Sequence, residues 1–263
     1  MFDNICKFLA ENFSSDFATW LLGEPITLTE LSPKELSLEP IRADALILLQ
    51  SEQNILHLEF QTQPDAEIPF RMIDYRLRVY RRFPDKAMHQ VVIYLKQTNS
   101  KLVQQNTFTI AGTRHEFSVI RLWEQPTEVF LRTPGLLPFA VLSSTIDPEA
   151  VLNQVAREIN SMTESRNQSN IAASTAILAG LVLDKEVIRR VLRSDIMRES
   201  VIYQDILEEG KAEGKAEGKA EALLEVATNL FNTGMPLEQI ARLTGLSIEQ
   251  LQYLQVTDSG ESK

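Results

Sequence analysis

The chain has 263 residues, with 26 Lys and Arg against 36 Asp and Glu, a formal net charge of −10 and a pI near 5.0. With 44% hydrophobic and 24% charged residues and only 10 Gly and 11 Pro, it is not collagen-like, low in complexity or wholly disordered. Its length gives one to two domains with ample material for a core. A single cysteine, Cys6, excludes an internal disulfide framework and a cysteine-built zinc cluster, and His57, His89 and His115 lack metal-ligand spacing.

The opening MFDNICKFLAENF carries acids inside its apolar pattern, unlike a signal peptide. The most apolar stretch, Ile171 to Leu183, is 13 residues long where a bilayer span needs about 20, and it reads as a buried core helix. The expectation is a soluble, cytoplasmic protein without a membrane partner. The acidic balance argues against nonspecific coating of nucleic acid but leaves room for a local basic groove.

In chain order, residues 2–12 read as an amphipathic helix with Phe2, Ile5, Phe8 and Leu9 on one face. A second helix starts near Ser14, Ser15 or Asp16 and stops at Gly23. Leu28 to Ile41 reads as an irregular connection. The period then changes to two. Ala45 to Gln50 and Ile55 to Gln61 read as strands joined by the hairpin loop Ser51 to Asn54. Gln50 then stands opposite Ile55, and Asp44 opposite Gln61. Ile68 to Phe83 reads as a helix and His89 to Lys96 as a strand. Thr107 to Ile110 and Glu116 to Trp123 read as further strands around the Ala111-Gly112 turn. From about Pro126 the pattern is helical. The order of elements predicts an α/β or α+β core.

Within Ile55 to Gln61, Leu56, Leu58 and Phe60 point one way and His57, Glu59 and Gln61 the other. A carboxylate inside such a strand needs a partner or a metal. Asp44 and Glu59 converge at the open end of the hairpin, and with a strand carbonyl they suit a hard cation such as Mg²⁺. Spacing alone fits better Asp44 paired with Arg42 or a helix arginine and Glu59 facing solvent at a sheet margin. On the following helix, Ile73, Leu77 and Tyr80 form an apolar stripe. Arg71, Tyr75, Arg78 and Arg82 share a polar face. Residues 71–86 hold six Lys and Arg against two Asp, a local charge of +4. Such a face can bind phosphates, and it can also be a solvated surface with Asp74–Arg78 pairing.

These residues resemble the PD-(D/E)xK nuclease superfamily: an acid opening one strand (Asp44), then Glu59-Phe60-Gln61, then a helix with Phe70-Arg71 and Tyr75. More specifically the chain resembles the recombination-promoting nuclease (Rpn) and transposase-related group in its cyanobacterial type, through DNICKFLAENFSSDFATWLLGE and the late EGKA repeat. The resemblance implies an α/β, restriction-endonuclease-like mixed sheet flanked by helices over residues 1–124. It also implies a DNA endonuclease using Mg²⁺, with Mn²⁺ as a substitute, linked to recombination or mobile elements and needing no small-molecule organic cofactor. It assigns Asp44 and Glu59 as metal ligands with the Phe60 carbonyl, and brings Glu11 toward the site. It places Gln61 where the superfamily has lysine. Glutamine lacks the lysine charge, so the rival expectation is a catalytically weak or inactive DNA- or protein-binding module that self-associates through its C-terminal helices. The simplest assembly for two cuts in duplex DNA is a homodimer.

The C-terminal half divides into a helical region over 125–204 that packs on or extends the core, an EGKA-repeat helix or spacer over 205–225, and a hairpin over 226–255. A disordered tail follows over 256–263. The repeat sets Glu against Glu and Lys against Lys at i,i+4 and carries Gly210, Gly214 and Gly218. It fits a solvated spacer or a glycine stripe between two helices. Gly234 to Glu249 resembles a helix-turn-helix, with Pro236 at the first helical position, Gly245 at the turn and Ser247 as N-cap. Residues 236–255 contain two acids and one base, a poor phosphate-binding set, so a packing or dimerising hairpin is expected.

Overall fold

The computed structural model describes residues 2–31, 47–192, 194–197, 200, 203–204, 215, 220, 222–224, 226–231 and 233–252. The chain divides into two compact units, Met1–Gln204 and Asp205–Lys263. Asp44, the tail and nearly all of the EGKA repeat lie outside the described residues.

The first unit opens with helices α1 (Phe2–Asn12) and α2 (Ser14–Leu22). α1 buries Ile5, Cys6, Leu9 and Ala10, and α2 ends at Gly23, whose φ of 84° is the left-handed conformation that glycine adopts without a Cβ penalty. The main sheet has five strands in the order β1 (Thr29–Glu30), β2 (Ile47–Gln50), β3 (Asn54–Gln61), β4 (Ala87–Tyr94) and β7 (Ser118–Arg121). The β1–β2 and β2–β3 pairs are antiparallel, whereas the β3–β4 and β4–β7 pairs are parallel. The β2–β3 hairpin has the expected register, with Gln50 opposite Ile55 and Ile47 opposite Leu58. Its loop is closed by a Ser51 N–H to Asn54 carbonyl bond of 2.9 Å.

Both faces of this sheet are covered, so β3 is buried on both sides from Ile55 to Phe60. On one face the Phe60 ring stacks on Phe139 at 5.8 Å, and Phe17 meets both rings edge-on. The other face carries helix α3 (Ile68–Arg82), the crossover between β3 and β4. α3 buries Ile68, Met72, Tyr75 and Val79. This corrects the expected stripe: Leu77 and Tyr80 are 57% and 60% exposed. Both stripes have helical spacing, and the one that wins is a turn longer and meets sheet residues Leu48, Ile55, Val92 and Tyr94.

The expected single strand Glu116 to Trp123 is two. β5 (Thr107–Ile110) and β6 (Thr113–Glu116) form a separate hairpin, and the chain changes sheet at Phe117 to enter β7. Phe117 is buried against Met72 and Val92, and this contact holds the switch point.

A 3₁₀ segment (Pro134–Leu142) and helices α4 (Thr127–Phe130), α5 (Pro148–Ser161), α6 (Ser165–Ala179), α7 (Lys185–Val191) and α8 (Ser194–Met197) complete the unit. α6 is buried from Ser169 to Thr175 and at Leu178 and Ala179, so the expected core helix is present but stops at Ala179, and Val182 in the last part of the apolar run is exposed. Asp147 caps α5 by accepting the Ala150 N–H at 2.9 Å. Asp147→Ala is expected to cost about 1 kcal/mol in urea unfolding, the usual value of such a cap. A loss below about 0.3 kcal/mol would show that water replaces it. No helix among the described residues is long and apolar enough to cross a membrane.

The second unit contains helix α9 (Leu237–Thr244), preceded by Pro236 in extended conformation and followed by Gly245. Pro236 is thus the N-cap, one residue earlier than expected. Ser247 and Gln250 form a reciprocal capping box, each side chain accepting the other's backbone N–H at 3.2 and 2.9 Å. Ala227, Ile240 and Leu251 form a small buried core with Leu230, Phe231 and Met235 around it.

Candidate functional site

Glu59 lies near the C-terminal end of β3, the strand that joins the antiparallel half of the sheet to the parallel half. In open α/β sheets the carboxyl ends of parallel strands are where ligand sites form. The alternation of β3 turns His57, Glu59 and Gln61 to one face, as expected, and that face is the one α3 covers. His57 is fully buried and Glu59 is 1% exposed. A carboxylate so far out of water needs compensation.

That compensation comes from Gln61 and α3. Glu59 Oε1 accepts from Gln61 Nε2 at 3.0 Å and from Arg71 Nη1 at 2.5 Å. Arg71 Nη2 donates to Asp65 Oδ2 at 2.5 Å, so one guanidinium bridges two carboxylates. Burial pulls the Arg71 pKa down, but Glu59 and Asp65 outweigh it and the net shift is upward. The second oxygen, Glu59 Oε2, faces His57 Nε2 at 3.8 Å. Tyr75 meets the His57 ring edge-on at 5.2 Å. Burial, reinforced by the charge of Glu59, pushes the Tyr75 hydroxyl pKa up, and Tyr94 is raised by burial together with Asp65 and Glu59.

On the side away from Glu59, the His57 ring is held by β4. Gln90 Nε2 donates to His57 Nδ1 at 3.0 Å and to the Met72 carbonyl at 2.7 Å, while His115 on β6 donates to Gln90 Oε1 at 2.8 Å. His115 borders a cavity of about 460 Å³ shared with Arg76, His89 and Asn106.

The structure gathers only some of the residues singled out from the sequence. Glu59, Gln61 and Arg71 are in direct contact. The Phe60 carbonyl points toward the β2 side, because carbonyls alternate along a strand and that of Gln61 accepts from Leu95 N on the β4 side. Asp44, the second acid of the expected pair, lies outside the described residues. Tyr75 is a correction: at 6% exposure it faces the core, not the arginine face, and presents no ring to a base. Arg78 pairs with Asp74 at 2.9 Å, while Arg82 is exposed with its guanidinium 5.8 Å from the Phe83 ring centroid. Glu11 approaches Lys7 at 3.6 Å. Asp3 is the α1 acid that senses the site: burial raises its carboxyl pKa, and Glu59 adds to the shift. Asp65, Gln90 and His115 were not anticipated. Asp65 sits in the loop ahead of α3 with no periodic signal, and Gln90 and His115 reach His57 only through strand pairing.

Glu59 and the Phe60 carbonyl are hard oxygen donors of the kind Mg²⁺ prefers. Among the described residues, no group of three or more His, Cys, Asp and Glu is placed to hold a metal ion. Comparison with family models, curated proteins and solved structures finds no match for this chain.

Proposed function

We propose that the protein is a Mg²⁺-dependent DNA endonuclease with a restriction-endonuclease-like core, working in the cytoplasm as a homodimer in recombination or mobile-element biology. The observation that carries this reading is the buried Glu59, presented at the carboxyl end of a central strand and bound on one oxygen by Gln61 and Arg71. Glu59 and the Phe60 carbonyl, with Asp44, are the groups that would hold the ion. When bound, it would orient a water and offset the negative charge that develops on the phosphate.

The chain's own groups then have separable tasks. Arg71 neutralises Glu59 in the resting state and is 30% exposed, so it can also reach a DNA phosphate. Arg81 and Arg82, both exposed at the end of α3, extend the positive face along the backbone of a duplex. Gln61 fixes the carboxylate but supplies no positive charge to the reacting phosphate, which predicts modest turnover.

Nicking of supercoiled plasmid with Mg²⁺ or Mn²⁺ tests the proposal. The wild-type protein should cut, and Asp44→Ala and Glu59→Ala should each reduce cutting by at least about 100-fold, a loss of some 2.7 kcal/mol in transition-state stabilisation. Equal traces from all three proteins would sink it. A second reading is favoured by the Arg71–Glu59 contact itself, since a carboxylate already neutralised has less call for a cation. In that reading the site has decayed, and the chain binds DNA or protein without cutting. Its signature is a gel shift without metal that survives Asp44→Ala.

A further inference from the structure

His57 is fully buried, and its Nε2 has no hydrogen-bond partner among the described residues. An unpaired polar atom at this depth is costly unless something occupies the space it faces. It faces Glu59 Oε2 across 3.8 Å, too far for a direct hydrogen bond.

The protonation of the ring follows from its neighbours. Gln90 has one amide nitrogen and one amide oxygen, and the Met72 carbonyl stands 2.7 Å from the nitrogen. Turning the amide over would set oxygen against oxygen there, so the nitrogen is fixed and its two hydrogens go to Met72 O and His57 Nδ1. His115, donating to Gln90 Oε1, holds the same orientation from the other end. A proton on His57 Nδ1 would face the Gln90 N–H. His57 Nδ1 is therefore an acceptor, and the ring carries its hydrogen on Nε2.

We infer that the Met72 carbonyl, Gln90 and His115 lock His57 as the Nε2–H tautomer, making it a positioning residue that orients Glu59 through Oε2 and not a metal ligand. One nitrogen lone pair is committed to Gln90 and the other nitrogen carries hydrogen, so neither is open to a cation. Oε1 is held by Gln61 and Arg71, and Oε2 by His57, directly after a small shift or through one water. The carboxylate is then fixed at both oxygens. Outer groups of this kind set the direction in which an acidic residue presents its lone pairs. The bearing on catalysis rests on the nuclease reading, whereas the tautomer and the Glu59 contact do not.

Long-range ¹H–¹⁵N correlation of the histidine rings in the full chain, together with the side-chain carboxyl ¹³C signal of Glu59, tests this without any cutting assay. His57 is expected to show the Nε2–H pattern, and Gln90→Glu, which replaces the donor with an acceptor, to move the hydrogen to Nδ1. The Glu59 carboxyl signal should shift in His57→Phe and remain near its wild-type position in His57→Gln, whose amide N–H can stand in for Nε2–H. An Nδ1–H pattern in the wild type overturns the inference. So does a Glu59 signal indifferent to both His57→Phe and Gln90→Glu. Plasmid nicking reports separately on the nuclease reading, so the two can fail independently.

Discussion

Arg71→Met is expected to lower stability by about 3 kcal/mol at neutral pH, the range found when one member of a buried ion pair is removed and the other keeps its charge. With a urea m-value of about 2 kcal/mol/M, the midpoint falls by roughly 1.5 M. The loss arises at Glu59, which is 1% exposed and would retain only the Gln61 amide on Oε1, and not at Arg71, which is 30% exposed. Methionine keeps most of the length of the arginine stem, so little packing is lost. The double variant Glu59→Gln with Arg71→Met should recover most of the deficit, because the charge that needed neutralising is gone. A single-variant loss below about 1 kcal/mol would mean that water reaches the carboxylate and that the bridge to Asp65 is a surface pair.

Gly135→Ala has a comparable or larger effect from a different cause. A Cβ at this position would collide with Phe13 Cβ and stand 2.7 Å from Phe13 Cγ and 2.8 Å from Asp16 Oδ2. Phe13 Cβ is fixed by the backbone between α1 and α2, so rotating the ring gives no relief. The same contact carries a Gly135 N–H to Asp16 bond of 2.8 Å, which forced separation would break. Overpacking plus that loss gives about 3 kcal/mol or more, and a Tm lower by about 10 °C for a unit of this size. Gly112→Ala is the contrast: nothing lies within 4 Å, and only its φ of +77° opposes the change, at about 1–2 kcal/mol. If the two variants melted together, the junction of α2 with the 3₁₀ segment would be more yielding than its geometry indicates.

The parts of this fold legible in the sequence are those governed by local rules. The β2–β3 register follows from four turn residues between two alternating runs, and the pairing of Gln50 with Ile55 is the one that rule gives. α2 ends where Gly23 ends it. The turn of His57, Glu59 and Gln61 to one face follows from strand alternation alone. What the sequence did not yield depends on which surface meets which. α3 carries two apolar stripes of equal period, and only the presence of Leu48, Ile55, Val92 and Tyr94 beneath it decides that Tyr75 is inside and Tyr80 outside. Gln90 reaches His57 because β4 lies parallel to β3 in one register, a pairing 33 residues apart that no local pattern encodes. Asp65 becomes a partner of Arg71 only once the loop ahead of α3 has folded back.

The change of sheet at Phe117 bears on how this chain can tolerate variation in length. The tip of the β5–β6 hairpin, from Ile110 to Arg114, is exposed, and additional residues at Ala111-Gly112 would enlarge the turn without touching the rest of the molecule. Three residues further on, the tolerance ends. The Phe117 N–H donates to the Asn106 carbonyl at 3.0 Å, and the side chain is anchored in the core, so the strand is pinned at its base. One residue inserted between His115 and Phe117 would turn the side chains on the hairpin side of it to opposite faces and withdraw His115 from Gln90. A hairpin that looks like an appendage thus couples the spacing at its base to the hydrogen-bond order of a buried histidine, through a single fixed point in the chain.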